Sequence, residues 1–542
     1  MYEFLIVLLS WLLAILAWTP VGLFVLKKLK TGFSDRPVHT FILSTLVGVA
    51  INSAILGIIS FWHPITAHVS IVLAFLGGLF FYKTFFEALG RLYLAIKKWS
   101  VLGWIGMLAF ATITMLCSLH TSLNNDSGLY YIQFMKWINS YPVVPGVANL
   151  HDRFGFNSTW HLLNAAFNMK TVGLAATNDL NGLLFILVGI GCFDSSSRTA
   201  SKKNIYDGVW AVFPILMFLL LRFLTSTAPD LPATLIPLAY FSYLVAEKDK
   251  SSLPTLVMLV AFASTIKVLS GLHIIILLPV LYWTVKAKNF KSIGVAILLG
   301  AFIVTPWLGR NVMQSGYLIF PMDSIDLVEV DWKVPNEVAA NARKMIDTHA
   351  RSGSYDLSKY GAPRSEWFSF WLSVQSKSVL GLIGFVALSS LLLLLGAIMN
   401  LVRKNRIEMV LVQLSLAVTV LASFVFWWNS GPNPRFIYGV VFFFFAYALT
   451  KAFTKVRSGV LLKIIPVVAL VPLIIITRTI LKETGPKIPT EFSSFEVEDA
   501  PVYYPTKTDK CWEQQLPCTT KERTDLKMRG DGLKDGFNSE NF

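Results

Sequence analysis

With 542 residues, 54% hydrophobic side chains, only 15% charged ones and a mean hydropathy of +0.59, the chain carries more apolar surface than a soluble fold of this length can hide. A soluble enzyme is excluded and a polytopic membrane protein is expected. The net charge of +15 does not mark a nucleic-acid partner, because Lys and Arg fall in short clusters between apolar runs.

Apolar runs of about 17 to 25 residues are long enough to span a bilayer. They predict helices over 3–26, 38–62, 65–86, 101–118, 177–193, 208–224 and 231–246. Seven more follow over 252–267, 269–285, 292–308, 376–400, 408–427, 436–451 and 460–479, fourteen in all. The first run follows "MYE" without a basic leader, so it reads as a span and not as a cleavable signal. The basic clusters are "KKLK" at 27–30, "KK" at 97–98, "RTASKK" at 198–203, "KAKNFK" at 286–291, "RKNR" at 403–406 and "KVR" at 455–457. Placed inside, they put both termini outside, and the alternation of spans closes without conflict. The expected fold is therefore all-α and polytopic, with a transmembrane domain over 1–479, outer loops at 119–176 and 309–375, and an outer tail at 480–542.

The first outer loop begins "LNNDSGLYYIQFMKWINSYP". Tyr130, Tyr131, Phe134, Trp137 and Ile138 recur at helical spacing, which predicts an amphipathic helix over 127–139 lying in the membrane interface. Asp126 precedes it, either as a helix cap or as a carboxylate set just above the outer leaflet to act as a general base. Further on, "GVANLHDRFGFNSTWH" offers His151, Asp152 and Arg153 to a polar ligand, and Asn149 and Asn157 as hydrogen-bonding groups for hydroxyls. Asp152 paired with Arg153 or a neighbour in a self-satisfied loop is the plainer alternative. "NST" at 157–159 is a formal glycosylation signal.

A second acid, Asp230, stands on a short outer turn in "RFLTSTAPDLP". Four cations sit at outer helix ends, against the charge rule: Arg222, Lys267, Arg310 and Arg435. One alone is a snorkelling side chain. Four together point to an anionic group at the outer leaflet, a lipid phosphate or pyrophosphate, which Arg forks and Lys charges recognise. In the second outer loop, Tyr317 and Trp332 either stack on a sugar or pack the loop, and 336–366 reads as a solvated helix. No His, Cys or carboxylate spacing matches a metal site. Cys511 and Cys518 can form a disulfide if the tail faces an oxidising compartment.

An acid in the first large outer loop, followed by an amphipathic helix, resembles the GT-C superfamily of glycosyltransferases that use lipid-linked sugars. The stretches "PGVANLHDRFGFNSTW", "TAPDLP", "PWLGRNVMQSGYLIFP", "NPRF" and "CWEQQLPCT" are similar to those of a group of poorly characterised bacterial membrane proteins. The first resemblance implies that Asp126 is the base that activates an acceptor and Asp230 a second functional acid. It also implies that Lys267, Arg310 and Arg435 hold the donor's phosphate. Many members pair two acids in the first loop, whereas here Asp126 is followed by Ser127, which leaves a divalent cation open.

The expected function is a glycosyltransferase in the bacterial inner membrane, taking a sugar from a polyprenyl-phosphate donor at the periplasmic face. The acceptor would be a glycan, lipid or protein hydroxyl. Tyr130 and the "NLHDRFGFN" loop would shape the pocket, among membrane lipids and without nucleic acid. Two rivals stand beside it. One is a ligase or polymerase using a pyrophosphate-linked glycan, with His151 or His161 essential in place of Asp126. The other is a flippase or transporter, which would need charges near the bilayer midplane where these spans have almost none.

Overall fold

The computed structural model describes residues 2–33, 35–176, 179–198, 204–246, 252–403, 407–455, 459–486, 488 and 491–539. Helices dominate, as the composition predicts. Ten of those described are long and apolar enough to cross a membrane: Tyr2–Leu29, Pro37–Ile59, Ala67–Ile96, Val101–Ser118, Leu180–Arg198, Ile205–Thr225, Val268–Lys286, Phe290–Ser315, Lys377–Val402 and Ile407–Ser430. The other four expected spans coincide with shorter apolar helices, Asp230–Ala246, Leu253–Ile266, Tyr438–Phe453 and Ile464–Ile480. Pro37–Ile59 and Leu180–Arg198 are buried inside the bundle, whereas Ala67–Ile96 and Lys377–Val402 turn most of their apolar side chains outward. Apolar residues facing out of a helical protein have only lipid to meet.

In three polar segments the structure corrects or adds to the expectation. The stretch 127–139 does not lie flat with one face toward lipid. It is a π-helical turn, Ser127–Tyr131, running into the helix Ile132–Ser140, and Tyr130, Tyr131, Phe134, Met135, Trp137 and Ile138 are all buried. One side packs on His161 and Phe154, and the other is covered by the tail.

The tail, for which the sequence set no elements, holds two two-stranded sheets. Phe492–Val497 and Ala500–Pro505 form an antiparallel hairpin turning through Glu498 and Asp499, both at positive φ. Leu526–Met528 pairs with Phe537–Ser539, and Cys511 and Cys518 are joined by a disulfide. The Trp512 N–H donates to the Gly128 carbonyl (3.0 Å), and Gln133 donates to the Trp512 and Gln514 carbonyls (2.8 and 2.7 Å). Phe537 N–H reaches Pro145 O at 3.0 Å beside Gly146, whose φ of +61° and 2.0 Å approach of a would-be Cβ to the Phe537 carbonyl require glycine.

The second outer loop is the third case. The helix Asn336–Ser352 is not solvated all round: Ala339, Ala342, Thr348 and Ala350 are buried. Tyr317 and Trp332 pack the loop, donating to the carbonyls of Val334 (3.0 Å) and Val312 (2.9 Å).

Candidate active site

A cavity of about 320 Å³ opens where the first outer loop meets the second and the turns that join the outer helix ends. Asp126, Tyr130, Arg153, Asp230, Lys267 and Arg435 all line it. Each is placed by a local interruption of regular structure. Asp126 stands at the head of the π-helical turn and its side chain caps nothing; its own N–H is bound by the Asn124 side chain at 3.0 Å. Single π turns recur at functional sites because they displace one side chain from the helical row. Asp230 is the first residue of Asp230–Ala246. Lys267 sits in extended backbone where Leu253–Ile266 breaks into the 3-10 turns of Val268–Ile276.

Arg435 belongs to "SGPNPRF". There the helix Ile407–Ser430 stops before Gly431 (φ +137°), and Asn433 accepts from the Arg435 N–H at 3.3 Å to cap a short turn begun by Pro434.

The four charged groups form two linked pairs. Arg435 Nη1 lies 3.7 Å from Asp126 Oδ2, and Lys267 is hydrogen-bonded to Asp230. Phe436 lies under both cations, its ring centroid 4.3 Å from Lys267 Nζ and 5.2 Å from Arg435 Cζ. Burial works against the Arg435 charge, but the carboxylates of Asp230 and Asp126 outweigh it and hold the guanidinium above its usual range. Its Nε is buried without a hydrogen-bond partner, a donor that an incoming oxyanion would satisfy. Asp126 keeps 23% of its side chain exposed and receives the Tyr131 hydroxyl only at a long 3.5 Å. Burial, and then the neighbouring Asp126 charge, raise the Tyr130 phenol, which therefore remains a neutral donor.

Residues 4–442 match a family described as "Domain of unknown function (DUF8201)". The chain belongs to that family. No curated protein and no solved structure matches it. The DUF8201 segment includes every residue that lines the cavity, from Asp126 to Phe436, and ends before the tail that covers the first loop.

Other residues singled out in this DUF8201 chain lie elsewhere. Arg222 is exposed and pairs with Glu483. Arg310 is buried beside a separate small void, donating to Ser60 Oγ (2.7 Å) and Asn157 Oδ1 (3.4 Å), and only Trp307, one turn earlier, reaches the main cavity. The four outer-end cations thus do not act as one cluster, because helix rotation turns two of them away. Asn149 is structural: its amide donates to the carbonyls of Trp332 (2.9 Å) and Phe537 (3.1 Å), tying both loops to the tail.

His151 accepts no ligand from the cavity either. Its Nδ1 lies 3.0 Å from Asp152 Oδ1. Burial opposes ionisation of Asp152, yet the His151 hydrogen bond and the charges of His151 and Arg153 bring it down to about 2. Asn157, by contrast, does line the main cavity, but it is buried and donates to Asn311 Oδ1 at 2.9 Å, so the glycosylation signal offers no acceptor nitrogen at the surface.

Sequence patterns missed two members of the site, His349 and Tyr355, and singled out a third, His161, only as the residue a ligase or polymerase would need. His161 is fully enclosed by the rings of Tyr130, Tyr131 and Phe134, both its nitrogens lack a partner, and burial pushes it down to about 3. His349 and Tyr355 come from the second loop and stack at 4.3 Å. A lone His in a charged helix carries no signal of its own; only the folding back of that helix over the first loop brings it in. Among the described residues no three His, Cys, Asp or Glu side chains converge, and both cavity carboxylates are already paired with cations. This donor set does not fit a divalent ion.

Proposed function

We propose that the protein is a membrane glycosyltransferase of GT-C type. It moves a sugar from a polyprenyl-phosphate donor to an acceptor hydroxyl at the periplasmic face of a bacterial inner membrane. The observation that carries this reading is the pairing of Asp126 with Arg435 in one cavity, beside Asp230 and Lys267. Asp126 accepts the proton of the acceptor hydroxyl as its oxygen attacks the anomeric carbon. The bond between that carbon and the phosphate oxygen breaks, the electron pair leaves with the phosphate, and Arg435 and Lys267 stabilise the charge that grows there. Asp230 holds Lys267 in position. In this reading the ten long helices and the four shorter ones all span, fourteen in total, with both termini periplasmic.

The ligase or polymerase stays as a second reading because His161 lines the same cavity with both nitrogens free. One experiment separates the two: transfer from a radiolabelled polyprenyl-phosphate sugar pool by membranes carrying each variant. Asp126→Asn is expected to lower transfer about 10²- to 10⁴-fold, the usual worth of a general base, with His161→Gln affecting it less. The opposite order would favour the ligase, and full transfer by Asp126→Asn would sink the base assignment.

A further inference from the structure

Three cations line the cavity against two carboxylates, and the pairing leaves one cation over. Arg435 faces Asp126 and Lys267 holds Asp230. The Arg153 guanidinium makes no ion pair and no side-chain hydrogen bond among the described residues, and lies over the Phe156 ring with Cζ 5.2 Å from its centroid. Asp152 beside it is turned to His151 and does not line the cavity. Arg153 is half-buried, and its backbone is fixed by the 3-10 turn Asp152–Gly155, whose Phe154 and Gly155 are buried.

Two uncharged donors share the cavity with it. His349 and Tyr355 line the cavity as a stacked pair with ring centroids 4.3 Å apart, and the charges of Arg153, Arg435 and Asp126 reach both. Burial, then Arg435 and Arg153, push the His349 imidazole below its ordinary range, and burial raises the Tyr355 phenol. A neutral imidazole N–H and a phenol O–H thus line the same cavity as an unpaired guanidinium. Such a set suits an oxyanion and leaves a neutral sugar with an uncompensated cation beside it.

We infer that the acceptor is itself anionic: it bears a carboxylate or phosphate that Arg153, His349 and Tyr355 bind, apart from the donor's phosphate at Arg435 and Lys267. This rests on the transferase reading, which it extends by giving the acceptor a chemical class. Two anions in one cavity also explain why its two built-in carboxylates are both neutralised, since a free one would repel either substrate.

The test uses the purified full chain in detergent, read by the fluorescence of Trp307 and Trp427, which line the cavity. Titrants are glucuronate, glucose 6-phosphate, glucose and farnesyl phosphate, the last standing for the donor lipid. One acidic sugar is expected to bind at least about tenfold more tightly than glucose, and the one that does so tells carboxylate from phosphate. Arg153→Gln should erase that preference and leave farnesyl phosphate unchanged; Arg153→Lys should restore part of it. Arg435→Gln should weaken farnesyl phosphate and leave the acidic sugar. Equal binding of glucose and both acidic sugars overturns the inference, as does loss of farnesyl phosphate in Arg153→Gln. Farnesyl phosphate binding that ignores Arg435→Gln, with acidic sugars still dependent on Arg153, would instead sink the donor reading and keep the anion subsite. Gel-filtration profiles matching the parent protein exclude a folding defect.

Discussion

Lys267 and Asp230 carry opposite charges into a nearly closed space, with 21% and 4% of their side chains exposed. Removing one partner from such a pair costs more than the pair contributes, because the remaining charge is stranded away from water. Asp230→Asn should therefore lower stability by about 3 kcal/mol, seen as a fall in Tm in detergent. A double Asp230→Asn, Lys267→Met variant should recover most of it. His161 gives a pH signature. Its folded value of about 3 lies below the ordinary value of about 6.5, so the neutral ring favours the native state fully above about pH 6.5. That advantage drains away as pH falls toward 3. The parent protein should lose Tm between pH 6.5 and 4 faster than His161→Gln, and parallel curves would show that the ring is solvated. At this scale the charges were legible: Asp126, Asp230, Lys267 and Arg435 stand out as polar residues at outer helix ends. Which of them converge was not, since Arg222 and Arg310 have the same position along the chain and differ only in the direction their helices turn them.

Among the elements, the bilayer-length helices could be read directly because each must satisfy its own backbone and cover itself with apolar side chains. The docking of the tail could not. It is made largely by carbonyls, those of Trp512, Gln514, Leu150 and Pro145, which no side-chain pattern announces. Gly128 marks how close the approach is, for a Cβ there would lie 2.2 Å from the Trp512 ring. Gly128→Ala should therefore lift the tail without touching a charge. Limited proteolysis should then cut between 492 and 539 at least several-fold faster than in the parent. Cys511→Ser should do the same, since closing so short a loop is worth about 2 kcal/mol; unchanged cutting in both would mean that the tail is held by its other contacts.

Over the whole molecule, charge is distributed by side. In the proposed topology the inner connections are basic, the spans carry almost no charge at mid-depth, and the cavity lies at the outer end. A protease added to intact spheroplasts should cleave the tail and leave the basic connections protected, and cleavage of those connections first would invert the topology. The docked tail also sets an order in time. The segment that seats Trp512 on Gly128 is made after every span that frames the cavity, and in the proposed topology its disulfide closes once that segment has crossed the membrane. A ribosome that releases the chain before Lys510 delivers a complete set of helices and both carboxylates, but no cover for the turn that holds Asp126. If the protein is the transferase proposed above, with its tail outside, activity would be withheld until translation and export are both finished, which ties the first turnover to arrival outside the cell's reducing interior.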